Sequence, residues 1–225
     1  PPPPPPPPPP IAQWSLDFDG IDDYLLLPKV GGIMEISVWM YKTVYQPGEN
    51  VEGALYALDC RYGTIDGFIS SSAIGQIWTN MYINGEETAI TWANVPTGTW
   101  GHMHLVVPTP FSDNINLMSH VSSGDTLYAV GCLKGRVAEA YLWSTHLSPY
   151  QIGIIATGFN LKSPMDPQRY LLASFNMEEG VGVYLTDFTE RNMPGEIFNG
   201  PVWVKDAPYN AGWHPTSLIS PPPPP

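Results

Sequence analysis

Of the 225 residues, 43% are hydrophobic and only 13% are charged, which excludes a disordered chain and suits one domain with a sizeable core. Lys and Arg number 9 against 21 Asp and Glu, and the net charge of −12 repels phosphate backbones and anionic lipid, excluding nucleic acid and membrane surfaces as partners. No apolar run approaches the roughly 20 residues of a membrane-spanning helix, so no membrane insertion is expected.

The chain opens on Pro1 to Pro10, an unbroken homoproline run answered by Pro221 to Pro225. Proline fixes φ and has no N–H to donate, so such runs join neither helix nor sheet and adopt the polyproline II helix. At about 3.1 Å per residue the first run is a stiff rod of about 31 Å. A sequence with proline at both ends reads as one segment of a longer series of rods and beads. The expected divisions are a rod over 1–10, a globular bead over 11–204, a linker over 205–220 and the start of a second rod at 221–225.

Within the bead, Trp14 to Asp19 alternates apolar and polar residues, Asp19-Gly20 turns the chain, and Tyr24 to Leu27 resumes the apolar pattern. A Gly31-Gly32 break precedes Glu35 to Tyr41, whose β-branched and aromatic residues predict a central strand. Short strands are expected over 53–59, 67–69 and 75–83, with Asn84-Gly85 turning the chain back toward 88–92. Trp100 to Val107, Ile115 to Ser119, Thr126 to Val130 and Gly135 to Trp143 continue the series. One helix interrupts it: Ser148 is the N-cap, Pro149 the first helical residue, Gln151 completes a capping box, and Gly158 can end the helix. Tyr170 to Met177 and Val202 to Val204 are the last strands. Turn signals at this spacing predict an all-β sandwich with one short helix.

Cys60 and Cys132 are the only cysteines, and both lie in strand-like stretches. They form either one disulfide, across the two sheets or between neighbouring strands, or two buried thiols. Asp17, Asp19, Asp22 and Asp23 crowd the first hairpin. With turn carbonyls they could supply the roughly six to eight oxygens that calcium takes; the plainer reading is an acidic turn facing water. They also loosely imitate the paired carboxylates of a glycoside hydrolase, but the central strands offer only Glu139, without a visible partner. His102 and His104 share one face of a strand, with no third metal ligand evident. No phosphate-binding loop, CxxC pair or nucleophile elbow occurs. Most of the 8 Trp, 12 Tyr and 7 Phe sit at alternating strand positions and read as core; Tyr45, Trp92, Tyr209 and Trp213 fall outside strands and are candidates for stacking on sugar rings.

Leu16 to Pro28, LDFDGIDDYLLLP, resembles the first hairpin of laminin-G-like, concanavalin A-like jelly rolls. EISVWMY, with its aromatic at Trp39, is similar to their next apolar strand, and MYINGEE to their NG or DG hairpin. Trp100-Gly101-His102 is similar to the tryptophan and histidine that open a core strand. GRVAEAYLWSTHLSPYQI resembles a strand leading through a short cap into a helical turn, and YLLASFNMEEGVGVYLTDFTERNMPGEIFNGPVWV resembles the closing stretch. The ordered set covers nearly all of Trp14 to Val204 and implies a two-sheet antiparallel jelly-roll sandwich. It also implies a satisfied core histidine at His102, a structural calcium ion at Asp19 and Asp187, and an approach of Glu178 and Glu179 to the first hairpin. Ala138 stands before Glu139 where the family often has Asp, which counts against a calcium site borrowing that carboxylate.

The homoproline runs resemble those of hydroxyproline-rich glycoproteins of algal and plant extracellular matrix, including the glycosylated axes of mastigoneme fibres. That resemblance implies hydroxylation and O-glycosylation at Pro1, Pro2, Pro3, Pro4, Pro5, Pro6, Pro7, Pro8, Pro9, Pro10, Pro221, Pro222, Pro223, Pro224 and Pro225. The bead has no Asn-x-Ser/Thr sequon, so glycans are expected on the rods alone. The expected function is a structural, non-catalytic bead of an extracellular fibre at a cell surface, matrix or flagellar surface, whose partners are other fibre chains and glycans. Calcium is the one cofactor expected. The alternative is a carbohydrate-binding, lectin-like module tethered by Pro-rich linkers.

Overall fold

The computed structural model describes residues 14–44, 53–61, 66–121, 129–156 and 167–207. Both homoproline runs, most of the 205–220 linker, Tyr45, Gly158, Tyr209 and Trp213 lie outside the described residues. The regular elements are β1 Ser15–Phe18, β2 Tyr24–Lys42, β3 Tyr56–Asp59, β4 Phe68–Ser70, β5 Asn80–Ile83, β6 Glu86–Thr88, β7 Gly101–Leu117, β8 His120–Val121, β9 Ala129–Val130, β10 Gly135–Trp143, α1 Pro149–Ala156, β11 Leu171–Phe175, β12 Tyr184–Leu185, β13 Gly195–Phe198 and β14 Val202–Val204. The chain is mostly β, as the turn spacing predicts. Twelve strands join one antiparallel sheet, and β8 and β9 form a separate ribbon.

The main departure from expectation concerns the long strands. The glycine pair at 31–32 does not break β2, and the two expected strands at 100–107 and 115–119 are one strand, β7. The two pair along most of their length, but the register shifts between Leu27 and Val30, between Gly31 and Ile33, and between Ile33 and Glu35. Ile33 faces Phe111 while Glu35 faces Val106, so β7 carries a longer excursion that contains Pro108 and Pro110. Pro28 lies in a separate excursion of β2, between Leu27 and Val30, against Asn114 of β7. Proline has no N–H for a ladder and is tolerated where pairing lapses, so these residues mark bends rather than ends.

The bends divide the sheet into two halves. In one, β14, β1, β10, the second half of β2, the first half of β7, β5 and β6 lie in order, with β11 also on β10. In the other, β12, β13, the first half of β2, the end of β7, β3 and β4 follow one another. Leu25, Leu27, Ile115, Leu117 and Ile197 from the second half share one apolar cluster with Val38, Met40, Met103, Leu105 and Val137 from the first. Each such side chain, moved fully from water into the core, contributes about 1.5 to 3 kcal/mol before the cost of ordering it.

Local signals fare well where they are strongest. Asn84 and Gly85 have φ of 53° and 87°, the left-handed pair of a type I′ hairpin turn. The capping box forms as expected: the Ser148 N–H donates to Gln151 Oε1 at 2.9 Å, and the Gln151 N–H donates to Ser148 Oγ at 3.3 Å. Residues 75–79 precede β5 rather than joining it, the return strand expected over 88–92 is β6, which ends at Thr88, and Trp92–Asn94 form a single 3-10 turn.

Of the two readings of the cysteines, the disulfide does not form: both are free and buried. The Cys60 thiol donates to the Gly67 carbonyl at 2.8 Å and lies beside Asp59 and Asp113, whereas Cys132 lies beside Asp22, Asp19 and Asp23. Burial pushes the Cys132 thiol up to about 12 and holds the Cys60 thiol well above its ordinary value, so neither is a thiolate near neutral pH. Both thiols should therefore ignore an aromatic disulfide reagent in the native chain and react together once it is denatured. Rapid labelling of native protein would contradict the sealed core.

Candidate functional site

Alternation along a strand gives every core-facing residue a neighbour on the opposite face. In β2 the core takes Ile36, Val38 and Met40, and the other face takes Glu35, Ser37 and Trp39. Across the ladder Trp39 pairs with His102 and Ser37 with His104. On the other side β10 places Glu139 opposite Trp39, Tyr141 opposite Ser37 and Trp143 opposite Glu35. A bulge at Ala138 makes this possible, because two residues of β10, Ala138 and Glu139, follow Val137 against a single step from Met40 to Trp39. Without it Glu139 would face the apolar core.

This second face is buried under a smaller apolar cluster of Tyr82, Val106, Tyr141, Trp143, Leu147 and Ile152, the last from α1. Beneath it runs a connected polar chain. The Trp143 indole N–H donates to Ser37 Oγ at 2.9 Å, Ser37 Oγ and His104 Nδ1 are hydrogen-bonded at 2.6 Å, and His104 Nε2 and Glu35 Oε2 at 2.8 Å, the imidazole tautomer setting the direction of the last two. Glu35 Oε1 accepts the Leu147 backbone N–H at 3.0 Å, and His146 Nδ1 stands 3.4 Å away.

Serine, histidine and glutamate in this order have the connectivity of a nucleophilic triad. The surroundings argue against that use. Ser37 and His104 are 0% exposed and Glu35 is 1% exposed, so no substrate reaches the hydroxyl. Burial lowers the His104 imidazole to about 3, far below the range in which it would accept a proton at neutral pH. Burial raises Glu35 to about 7 against the opposing pull of the Leu147 N–H and His146. The network is a buried hydrogen-bonded seam that ties β2, β7, β10 and the start of α1 together.

One row along, the polar groups are less well served. His102 is buried as expected but not satisfied: neither ring nitrogen has a hydrogen-bond partner, and the ring packs against Trp39 and His104 with centroids 5.5 and 6.0 Å away. Its imidazole is held well below its ordinary value by burial and then by His104. Glu139 accepts the Tyr141 hydroxyl on Oε2, while its Oε1 and the Trp39 indole N–H have no partner. Burial raises Glu139 to about 8, with the Tyr141 hydroxyl lowering it and Glu178 raising it. Glu35 and Glu139 share this face but stand four residues apart along the ladder, about 13 Å between backbones at about 3.3 Å per residue.

The residues proposed for calcium do not meet. Asp19 gathers with Asp22 and Asp23, whose carboxylate oxygens lie within 4.8 Å of one another. Asp187 is absent from that group and already saturated: Oδ1 accepts the Ser174 and Thr189 N–H groups at 3.0 Å, and Oδ2 accepts the Thr189 hydroxyl at 2.8 Å and the Met193 N–H at 3.1 Å. Glu178 lies near Glu139, and burial and then Glu179 push it up to about 7. A calcium ion would thus have the three aspartates at 19, 22 and 23, three of the roughly six to eight oxygens required. Within that hairpin Asp23 Oδ2 accepts the Asp19 N–H and Asp19 Oδ1 accepts the Ile21 N–H, the pattern of an Asx-stabilised turn. Of the sugar-stacking candidates only Trp92 is described, and its ring face is taken by the Lys42 ammonium at 4.2 Å.

The sequence offered no sign of the Ser37–His104–Glu35 seam, because its members come from positions 35, 37 and 104 and meet only through strand register. Asp187 could have been recognised from Asp187-Phe188-Thr189, where an aspartate two residues before a threonine is suited to a local turn.

Two outcomes follow from these geometries. Glu35, Glu139 and Glu178 keep protons when folded that they lose from 4.5 upward when unfolded, so the folded chain binds more protons up to about 7 or 8 and stability falls as pH rises through that window. His102 and His104 stay neutral when folded but charge below 6.5 when unfolded, so stability falls as pH drops toward about 3. Thermal melts followed by circular dichroism should show greatest stability between about pH 4.5 and 6.5, and Glu139→Gln should flatten the loss on the alkaline side. Asp187→Ala strands four donors and should cost about 3 kcal/mol or more, a loss that added calcium does not restore. Protein-family models and curated proteins yield no match to this chain.

Proposed function

We propose that this chain is a non-catalytic bead of an extracellular hydroxyproline-rich fibre, a laminin-G-like jelly roll carried on proline rods that docks neighbouring chains. The observation that carries this reading is the contrast between interior and surface. Ser37, His104, Glu35, His102 and Glu139 are all at most 2% exposed, and among the described residues the part-exposed pair of His120 with Asp59 is tied up by Arg61. The surface instead offers acidic turns and an apolar sheet edge, features suited to contact and solubility.

Further support comes from the shared core of the two sheet halves, which is compatible with the two-layer plan of a jelly roll. Free thiols sealed in that core are compatible with an oxidising compartment, since neither is available to exchange. In this reading the rods set spacing and stiffness, while the bead supplies specific contacts. Glycopeptide mass spectrometry of native material tests it: hydroxylated prolines bearing pentose and hexose ladders in the two homoproline runs are expected. Bare proline throughout both runs would remove the fibre and leave the runs as linkers.

A further inference from the structure

The strand that opens the bead and the strand that closes it lie side by side. β1 begins at Ser15 and β14 ends at Val204, and these two residues are register partners in an antiparallel ladder that continues through Leu16 with Trp203 and Asp17 with Val202. The Lys205 ammonium lies 4.9 Å from the Trp14 ring centroid. The chain coming from Pro1 to Pro10 therefore enters this body beside the point from which the chain toward Pro221 to Pro225 leaves it. The two strands are held unequally. β1 lies between β10 and β14, with Leu16 and Phe18 buried in the core, and Trp14 before it packs so closely on Gly180 that a methyl group there would sit 2.6 Å from the ring. β14 is an edge strand paired on one side, with Val202 exposed and Trp203 and Val204 half-buried. Beyond its ladder, the Trp203 N–H donates to the Gly182 carbonyl at 3.1 Å. Arg136 of β10 reaches past β1, donating from Nε to Asp17 Oδ1 at 3.2 Å and from Nη1 to Asp206 Oδ2 just after β14. On the other side of β14, Asn199 Nδ2 donates to the Asp22 carbonyl at 2.8 Å and the Phe198 ring stacks on Tyr24 at 4.6 Å.

We infer that β14 is a strap that tension between the two flanking segments peels from β1 before the core yields, with Arg136 as its clasp. The inference rests on the bead-and-rod reading above for the source of that tension. A pull on the adjacent ends of an antiparallel pair opens it one residue pair at a time, from Ser15 and Val204 inward, whereas a pull on opposite ends would load every pair together. An edge strand with little buried apolar surface also lies at the low end of local stability, so β14 gives way and β1 stays in the core. Freed back to Gly200, the strap lengthens the path between the two ends by roughly 25 Å at about 3.3 Å per residue, while the Asn199 tie and the strands behind it hold. The bead then hangs beside the proline axis rather than standing within it, and yields a short, recoverable length under load. The clasp is an ion pair open to water, weak and screened by salt, so the release force is low and falls as ionic strength rises.

The test stretches the full chain by its two ends in an optical trap. One variant is Arg136→Gln, and a second joins Ser15→Cys to Val204→Cys as a disulfide across the outermost register pair; melting temperatures confirm that both keep the fold. A reversible step of roughly 25 Å is expected before the main unfolding event. Arg136→Gln should speed its opening at fixed force tenfold or more, and the oxidised cysteine pair should abolish it until reduced. Unfolding in a single event with no earlier step overturns the proposal, as does an early step that persists in the oxidised pair. A step indifferent to Arg136→Gln overturns the clasp. Bare prolines in native material with the step intact would sink the fibre reading alone, and glycosylated prolines without the step would sink the strap alone.

Discussion

The antiparallel pairing of β2 with β7 is the constraint on which the other elements depend. Both strands run through the bend, so a single ladder serves both halves of the sheet and fixes the register of each relative to the other. Every further strand of the main sheet attaches to this pair directly or through one or two neighbours. A side-chain period of two makes register decisive, because a slip of one residue would exchange the apolar set Ile36, Val38 and Met40 for Glu35, Ser37 and Trp39. The lapses of pairing around Pro28, Pro108 and Pro110 allow the bend without leaving ladder donors missing on both sides.

Burying two faces of the first sheet half raises a problem that the apolar core does not. The second face carries two histidines, two glutamates and a serine, and ionised groups there would be very costly. Each is shifted toward its uncharged form, the carboxyls upward and the imidazoles downward, with burial as the leading cause in every case. Hydrogen bonds then satisfy the row of Ser37 and His104 almost completely and the row of Trp39 and His102 poorly. The first row gives the helix a defined seat through Leu147 and Glu35, since a satisfied buried network favours one geometry over its alternatives.

Charge that is excluded from the interior collects at the turns. The Asp19, Asp22 and Asp23 hairpin is held by its own backbone donors, and burial with neighbouring like charges raises the Asp23 carboxyl. Asp187 follows the opposite course, using its charge to gather four donors and close the connection between β12 and β13. The same residue type thus serves solubility in one turn and local order in another, and the difference lies in how many N–H groups the backbone can bring within reach.

Local chemistry in the sequence was enough to determine the β class, the Asn84-Gly85 hairpin, the capped start of α1 and the final strand Val202–Val204, because each rests on residues adjacent in the chain. It also determined the proline runs and the acidic balance. What depended on distant partners was decided only in three dimensions. Gly31-Gly32 reads as a break until the long ladder to β7 carries the strand across it. Cys60 and Cys132 read as a possible bridge until their strands place them beside different aspartates. Short strands such as β12 and β13 carry too few residues for a period to emerge and exist because neighbouring strands pair with them. The seam of Ser37, His104 and Glu35, and the bulge that turns Glu139 away from the core, follow from register, which no single stretch of sequence contains.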